Sequence, residues 1–170
     1  MRIREIETGE KAELAALARQ TYAEAWGPTM SASDLEHRLE TALSDLSIRR
    51  YAENDVFLVA EIDGQLVGYV QFGAVSIPGS EFTAEDRELI RLYVLARFQR
   101  RGIGEQLLRA AFRHARLEGA ANVYLETWEH NEGAQRLYMR HGFTVVGEHN
   151  ETYPSGLVSR ELIMVRRNPK

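Results

Sequence analysis

No cysteine occurs in the 170 residues, which removes disulfides, thiolate metal sites and thiol nucleophiles together. That absence suits a reducing compartment, and the expected location is the cytoplasm. No run of about 18 apolar residues could span a bilayer, and the opening RIREIETGEK has no apolar signal core. The chain is therefore expected to begin as mature soluble protein with no membrane partner. A basic excess is missing too. With 21 Lys and Arg against 25 Asp and Glu, the formal charge of -4 excludes a general nucleic-acid binder and leaves small cationic partners compatible. There is no internal repeat and no low-complexity segment. The five histidines, His37, His114, His130, His141 and His149, show no HxH or HxxxH spacing, so no metal site is expected. What is present, 44% hydrophobic and 27% charged residues, is the composition of one domain over residues 1–170 that buries roughly 70% of its unfolded surface.

Arg2 to Ile6 alternates apolar and polar residues as a short strand does, and from Gly9 onward Leu14, Leu17, Ala18 and Tyr22 recur at helical spacing. A second helix is expected after Ser33, whose hydroxyl would cap it, with Leu35, Leu39, Ala42 and Leu43 on one face. VFLVAEI and QLVGYVQF, joined by Asp63 and Gly64, predict an antiparallel hairpin, because that dipeptide supplies the positive φ angles of a tight turn. Ile77 to Asp86 reads as an acidic loop and Glu88 to Leu95 as a strand. From Ile103 the residues Leu107, Leu108, Ala111, Phe112 and Ala115 hold one helical face until Gly119, a candidate C-terminal cap. NVYLETW predicts a strand, Asn131 opens a short helix closed by Gly142, and FTVVGEH and LVSRELIMVRR predict two final strands. The order gives an α+β fold: a mixed, mostly antiparallel central sheet flanked by helices, with one βαβ-like crossover.

At that crossover stands RFQRRGIGEQLLRAAF, Arg97 to Phe112. Unpaired N–H groups at a helix start carry the positive end of the helix dipole, and Gly102 and Gly104 let an anion approach them without a Cβ in the way. Arg100 and Arg101 add formal charge, so the turn favours a pyrophosphate. An ordinary glycine turn with solvated arginines is the plain alternative. A P-loop is excluded because its lysine and hydroxyl are missing. A Rossmann fingerprint fits poorly: its third glycine is Leu107 here, although Glu126 lies near the distance of a ribose-binding acid.

QRRGIG, Gln99 to Gly104, resembles the Q/R-x-x-G-x-G/A signature of the GCN5-related N-acetyltransferases (GNAT). LYV (Leu92 to Val94), NEGAQRLYMRHGF (Asn131 to Phe143) and ELIM (Glu161 to Met164) follow that family's pattern in order, so the resemblance covers essentially the whole chain and implies the GNAT fold. It implies acetyl-coenzyme A as co-substrate and no metal. The pyrophosphate would lie in the loop Gln99, Arg100, Arg101, Gly102, Ile103, Gly104 and Glu105, with backbone amides from Arg101 to Glu105 as donors. The pantetheine arm would lie like a short extra strand beside the backbone of Leu92, Tyr93 and Val94. Asn131 matches a position that contacts this arm, yet Asn is also a strong helix cap, and both roles are open. Arg109, Arg113 and Arg116 are expected on the solvated helix face, and Trp26 and Trp128 are expected to pack.

Acetyl transfer to a primary amine has two proton problems. An ammonium of pKa ~10.4 must lose its proton, at a cost of roughly 4 to 5 kcal/mol at pH 7. The resemblance points to Glu88, which as a carboxylate would act through ordered water. The departing thiolate needs a proton or a hydrogen bond, and Tyr138 holds the family's usual general-acid position. Within the superfamily the wording looks most like PaiA-type spermidine and spermine acetyltransferases, apart from Glu161 where those often have Asp. The acidic stretch with Glu81, Glu85, Asp86 and Glu88 would attract such a polycation. Other small-molecule or protein amines, namely an amino acid, an antibiotic or a protein N-terminus, remain open as acceptors, as do a non-catalytic acetyl-coenzyme A sensor and a homodimer.

Overall fold

The computed structural model describes residues 1–78 and 82–168. Its elements are β1 (Arg2–Glu5), α1 (Lys11–Trp26), α2 (Ala32–Thr41), α3 (Asp45–Tyr51), β2 (Val56–Ile62) and β3 (Gln65–Gly73). They continue with β4 (Arg87–Val94), α4 (Ile103–Phe112), α5 (Ala115–Glu118), β5 (Asn122–Trp128), α6 (Glu132–Arg140), β6 (Thr144–Thr152) and β7 (Val158–Arg167). Asp63 and Gly64 turn the β2–β3 hairpin at φ 51° and 77°, as their side chains predict.

Three helix boundaries differ from the sequence expectation. The cap of α2 is Ser31, not Ser33: Ser31 is extended and its hydroxyl accepts from the Asp34 N–H at 3.1 Å, which leaves Ser33 inside the first turn. The short helix α3, which buries Ile48 alone, is too brief to leave a readable period in the sequence. The single helix expected from Ile103 to Gly119 is two, because His114 is extended (φ -75°, ψ 135°) and its Nδ1 accepts from the Arg116 N–H to start α5. Gly119 ends α5 in a right-handed conformation, so no left-handed cap is formed there.

The sheet order is β1-β2-β3-β4-β5-β7-β6, with every neighbouring pair antiparallel except β4 with β5. From Leu66 to Gly73 every residue of β3 is buried, so both faces of the sheet are covered there. Tyr69 stacks on Tyr93 and Tyr93 meets Tyr22 of α1, which puts α1 on the face of the odd-numbered β3 residues. Helix α4 covers the other face, inserting Leu107, Leu108 and Ala111 at 0% exposure. Each such leucine contributes about 2 kcal/mol of apolar burial.

The feature that matters for function is where the sheet fails. Strands β4 and β5 pair only at Arg87↔Val123 and Glu88↔Tyr124. Just beyond, Phe72 faces Leu89 and Gln71 faces Arg91, so Ile90 is an extra residue in β4. Such a bulge bends and twists its strand, and here it turns β4 away from β5. At Gly68 the strands β3 and β4 leave no room for a side chain: a Cβ there would stand 2.8 Å from the Tyr93 carbonyl oxygen and 3.0 Å from Val94 Cγ2. Gly68→Ala is therefore expected to lower stability by roughly 1 to 3 kcal/mol in urea unfolding, since backbone must move. An unchanged midpoint would show that the two strands are not held this tightly.

Candidate active site

The antiparallel ladder of β3 and β4 sets which backbone groups of β4 are free. Leu95 N–H donates to the Val67 carbonyl at 2.9 Å. By alternation, Tyr93 and Arg91 direct their N–H and C=O groups to β3, whereas those of Leu92 and Val94 face the gap left by β5. The Val94 carbonyl is already occupied, accepting from Gln99 Nε2 at 2.9 Å. The Gln99 side chain thus ties the following loop to the strand end. Its neighbour Ala96 donates its N–H to Glu24 of α1 at 2.8 Å, a second tie that the sequence did not reveal.

The loop then turns sharply into α4. Arg100 is left-handed at φ 60° and Gly102 at φ 76°. A non-glycine residue in that region is uncommon, so the turn holds Arg100 in strain. Gln106 N–H to Gly102 C=O, at 3.0 Å, is the first helical bond, which leaves the N–H groups of Ile103, Gly104 and Glu105 without helical partners. The Ile103 side chain is buried in the core, so only its backbone serves the turn. Arg101 stacks its guanidinium on Phe98 at 5.5 Å, beside Arg97 at 5.1 Å, and Arg100 is exposed. Gly102 is required by its φ angle, but Gly104 is not. Its Cβ would find only Val94 Cγ2, at 3.9 Å, so the protein itself has room for a side chain. The space over the free amides suits a phosphate group, which explains a glycine that neither backbone nor packing demands.

A cavity of about 880 Å³ runs along the gap, lined by Leu92, Tyr93, Val94, Gln99, Asn131 and Tyr138 among others. Asn131 caps α6: its Oδ1 accepts from the Ala134 N–H at 3.2 Å. Tyr138 is 7% exposed, packs on Phe143 at 5.8 Å, and has no hydrogen bond to its hydroxyl from the described residues. Burial pushes its phenol well above the ordinary tyrosine range, so it stays protonated and able to donate. Trp26 and Trp128 pack together at 5.3 Å as expected and also wall the cavity, with Trp26 Nε1 donating to the Tyr93 hydroxyl at 2.9 Å.

Glu88 lines the same cavity at 4% exposure, its Oε2 accepting from the Ser76 N–H at 2.7 Å and the Ser76 hydroxyl at 2.9 Å. Burial nonetheless raises its pKa. The other carboxylates of the acidic loop do not line the cavity where they are described. Glu81 lies outside the described residues, and Glu85 is exposed away from the cavity. Asp86 is a buried loop anchor that accepts from Thr83 N–H at 2.9 Å and Asn122 Nδ2 at 2.8 Å. Besides Glu24 of α1, already bonded to the Ala96 N–H, the cavity takes carboxylates from three strands: Glu126 on β5, Glu151 on β6 and Glu161 on β7. Their register explains the convergence, for Trp128 faces Glu161, which faces His149, while Ser159 faces Glu151. Two-residue alternation then brings Glu126, His149, Glu151 and Glu161 to one face.

Arg38 of α2 and Arg91 of β4 are the arginines on the wall; Arg38 pairs with Glu151 and lies 3.5 Å from the Tyr153 hydroxyl, and Arg91 donates to Gln71 Oε1. Burial pushes Glu126 up to about 7, with Glu88, Glu161 and Glu151 adding repulsion. Among the described residues no group of three or more acidic or histidine side chains is arranged to hold a metal ion. No helix among them is long and apolar enough to cross a membrane.

This geometry, a split sheet with a helix start beside the split, agrees with the comparisons. The model of the acetyltransferase (GNAT) family matches residues 12–143, and the chain belongs to that family. It is an acetyl-coenzyme A-dependent N-acyltransferase with the GNAT fold. An uncharacterized N-acetyltransferase of Lactobacillus delbrueckii subsp. lactis is 30% identical over 139 residues, 81% of this chain and 80% of that one. The spermine/spermidine N(1)-acetyltransferase of Bacillus subtilis is 33% identical over 91 residues, 51% of this chain and 57% of its own. The PaiA N-acetyltransferase of Thermoplasma acidophilum, solved with coenzyme A, superposes with a TM-score of 0.75 at 21% identity, covering 98% of both chains.

The glycine argument separates stability from affinity. Asp at position 104 suits the first turn of a helix, yet its charge would stand where the pyrophosphate is expected. Gly104→Asp should keep or raise the melting temperature and weaken acetyl-coenzyme A binding at least tenfold by calorimetry, roughly 1.4 kcal/mol. Unchanged affinity in the folded variant would remove the turn as the pyrophosphate site.

Proposed function

We propose that the chain, acting as one domain over residues 1–170 in the cytoplasm, acetylates a primary amine of a small polycation such as spermidine or spermine. The observation that carries this reading is the cavity's charge: Glu24, Glu88, Glu126, Glu151 and Glu161 line it against two arginines, Arg38, which is paired to Glu151, and Arg91, which is bonded to Gln71. An amine with a second cationic group gains from such a wall, because one ammonium can be held while the other reacts. The aromatic side chains of Trp26, Trp128 and Tyr93 offer apolar surface for the methylene segments between amines. The name of the Bacillus subtilis relative supports the same acceptor class.

In this reading the amides of Arg101 to Glu105 and the charges of Arg100 and Arg101 hold the pyrophosphate of acetyl-coenzyme A. Leu92 and Val94 offer backbone groups to the pantetheine arm, with Tyr93 and Gln99 fixing the strand end and Asn131 shaping the far wall. Acetyl-coenzyme A supplies the thioester carbonyl carbon that the amine attacks. Glu88, fixed by Ser76, attracts the ammonium and draws its proton outward through ordered water. Tyr138, kept protonated by burial, donates toward the departing sulfur.

A panel of polyamines, aminoglycosides, amino acids and N-terminal peptides, scored by release of coenzyme A to a thiol reagent, tests the acceptor. Spermidine or spermine should give the highest kcat/KM, and added salt should raise KM, since exposed attraction is screened over a Debye length of about 8 to 10 Å. Monoamines reacting as well, without salt dependence, would contradict the polyamine reading. For the acid, Tyr138→Phe should lower kcat by at least about tenfold while leaving acetyl-coenzyme A affinity unchanged. Equal kcat for the two proteins would retire Tyr138.

A further inference from the structure

Arg38, Glu151 and Tyr153 stand between two cavities. They line the large one of about 880 Å³ and also a second of about 90 Å³. His37, Thr41, Thr152 and Pro154, all exposed, complete the smaller cavity, which therefore faces solvent. Side chains common to both linings are the wall between them. Arg38 Nη2 donates to Glu151 Oε1, the Tyr153 hydroxyl donates to Glu151 Oε2 at 3.2 Å, and Arg38 Cζ lies 5.5 Å from the centre of the Tyr153 ring.

The frame of this wall is fixed, but one part of it can move. Asp34, one turn before Arg38 on α2, accepts from the N–H and hydroxyl of Ser155, two residues after Tyr153. Helix and turn are thus fastened together beside the wall, and what is left free is the Arg38 side chain. Arg38 and Glu151 are 27% and 36% exposed along their side chains, so water reaches both, and an ion pair of that kind is weak enough to exchange. The guanidinium is held by a carboxylate, a phenol oxygen and an aromatic face. Those are also the groups that hold an ammonium.

We propose that Arg38 is a specificity-determining bar: it fills an ammonium site of its own chain and so limits the length of polyamine that the cavity admits. The inference rests on the polyamine reading above and adds the limit on length. An acceptor that fits wholly inside the large cavity leaves the Arg38–Glu151 pair closed. A longer one has to place its leading ammonium on Glu151, which requires the guanidinium to swing aside and opens the way into the smaller cavity. Glu151 keeps its orientation in that exchange, because the Tyr153 hydroxyl still donates to its other oxygen. One cation replaces another, and no covalent bond changes. A tethered cation holds its site at an effective concentration that a free acceptor does not reach, so the exchange is a net cost. The triamine spermidine is therefore used better than the longer tetraamine spermine.

The test measures kcat and KM for spermidine and spermine with the wild type, Arg38→Ala, Glu151→Gln and the double variant. Arg38→Ala should raise the spermine-to-spermidine ratio of kcat/KM about fivefold, and the gain should lie in KM for spermine, since the bar acts on entry and not on chemistry. Loss of a positive charge alone would favour every polycation and would not need Glu151. The double variant separates the two causes: in the Glu151→Gln background, Arg38→Ala should change the ratio by less than about twofold. Arg38→Met keeps the stem against Tyr153 and removes the guanidinium; it should repeat the gain, and it stands in for an Ala variant that does not fold. A ratio unmoved by the folded Arg38 variants, or a gain that persists in full without Glu151, would overturn the bar. A wild type that acetylates other amines of the panel but neither polyamine would overturn the polyamine reading beneath it.

Discussion

The parting of β4 from β5 is the constraint on which the rest of the site depends. Two residue pairs hold the strands together, and the extra residue at Ile90 then bends β4 away. A sheet broken in this way leaves backbone groups without partners, which costs free energy wherever water is excluded. Here the open edge is short. Gln99 satisfies the Val94 carbonyl and Glu24 satisfies the Ala96 amide, so on this side of the gap the free groups are those of Leu92, the Val94 N–H and the first turn of α4. In the proposed reading those are the groups that an extended, phosphate-bearing co-substrate uses, beside the charges of Arg100 and Arg101.

The same opening permits the acidic wall. Four carboxylates on neighbouring strands would repel one another in a closed core, and the raised values of Glu88, Glu126 and Glu161 record burial as the leading cause. Part of the strain is relieved locally: Ser76 donates to Glu88, Ser159 donates to Glu161, and Arg38 pairs with Glu151. Elsewhere the protein binds this region down. Asp34, at 0% exposure, accepts from the Ser155 N–H at 3.0 Å and from the Ser155 and Ser31 hydroxyls, fastening α2 to the turn between β6 and β7. Structure that is destabilised by charge on the cavity face is thus anchored at its rim.

How much of this was legible in the sequence follows from the range of each interaction. The hairpin at Asp63-Gly64, the strand NVYLETW and the Gly102 turn depend on residues adjacent in the chain, and they stand where the local pattern predicts. QRRGIG was legible as a candidate anion turn because that chemistry lies in consecutive backbone amides. Glu126, Glu151 and Glu161 could not be found that way. They become neighbours only when β7 inserts between β5 and β6, an order that no local period encodes. Of the described acidic residues in that loop, Asp86 bonds within the loop and Glu88 lines the cavity, a division that composition alone does not show. The break at His114 was hidden for a related reason: Phe112 and Ala115 keep helical spacing across a residue whose own side chain caps the next turn.

The most direct measurement of the central claim is amide hydrogen exchange, followed by NMR, with and without acetyl-coenzyme A. The account predicts an alternating response: slowed exchange at Leu92, Val94, Ile103, Gly104 and Glu105, with Arg91 and Tyr93, already bonded to β3, unchanged. Protection spread evenly along β4, or confined to residues away from the split, would contradict a co-substrate lying in the gap between β4 and β5.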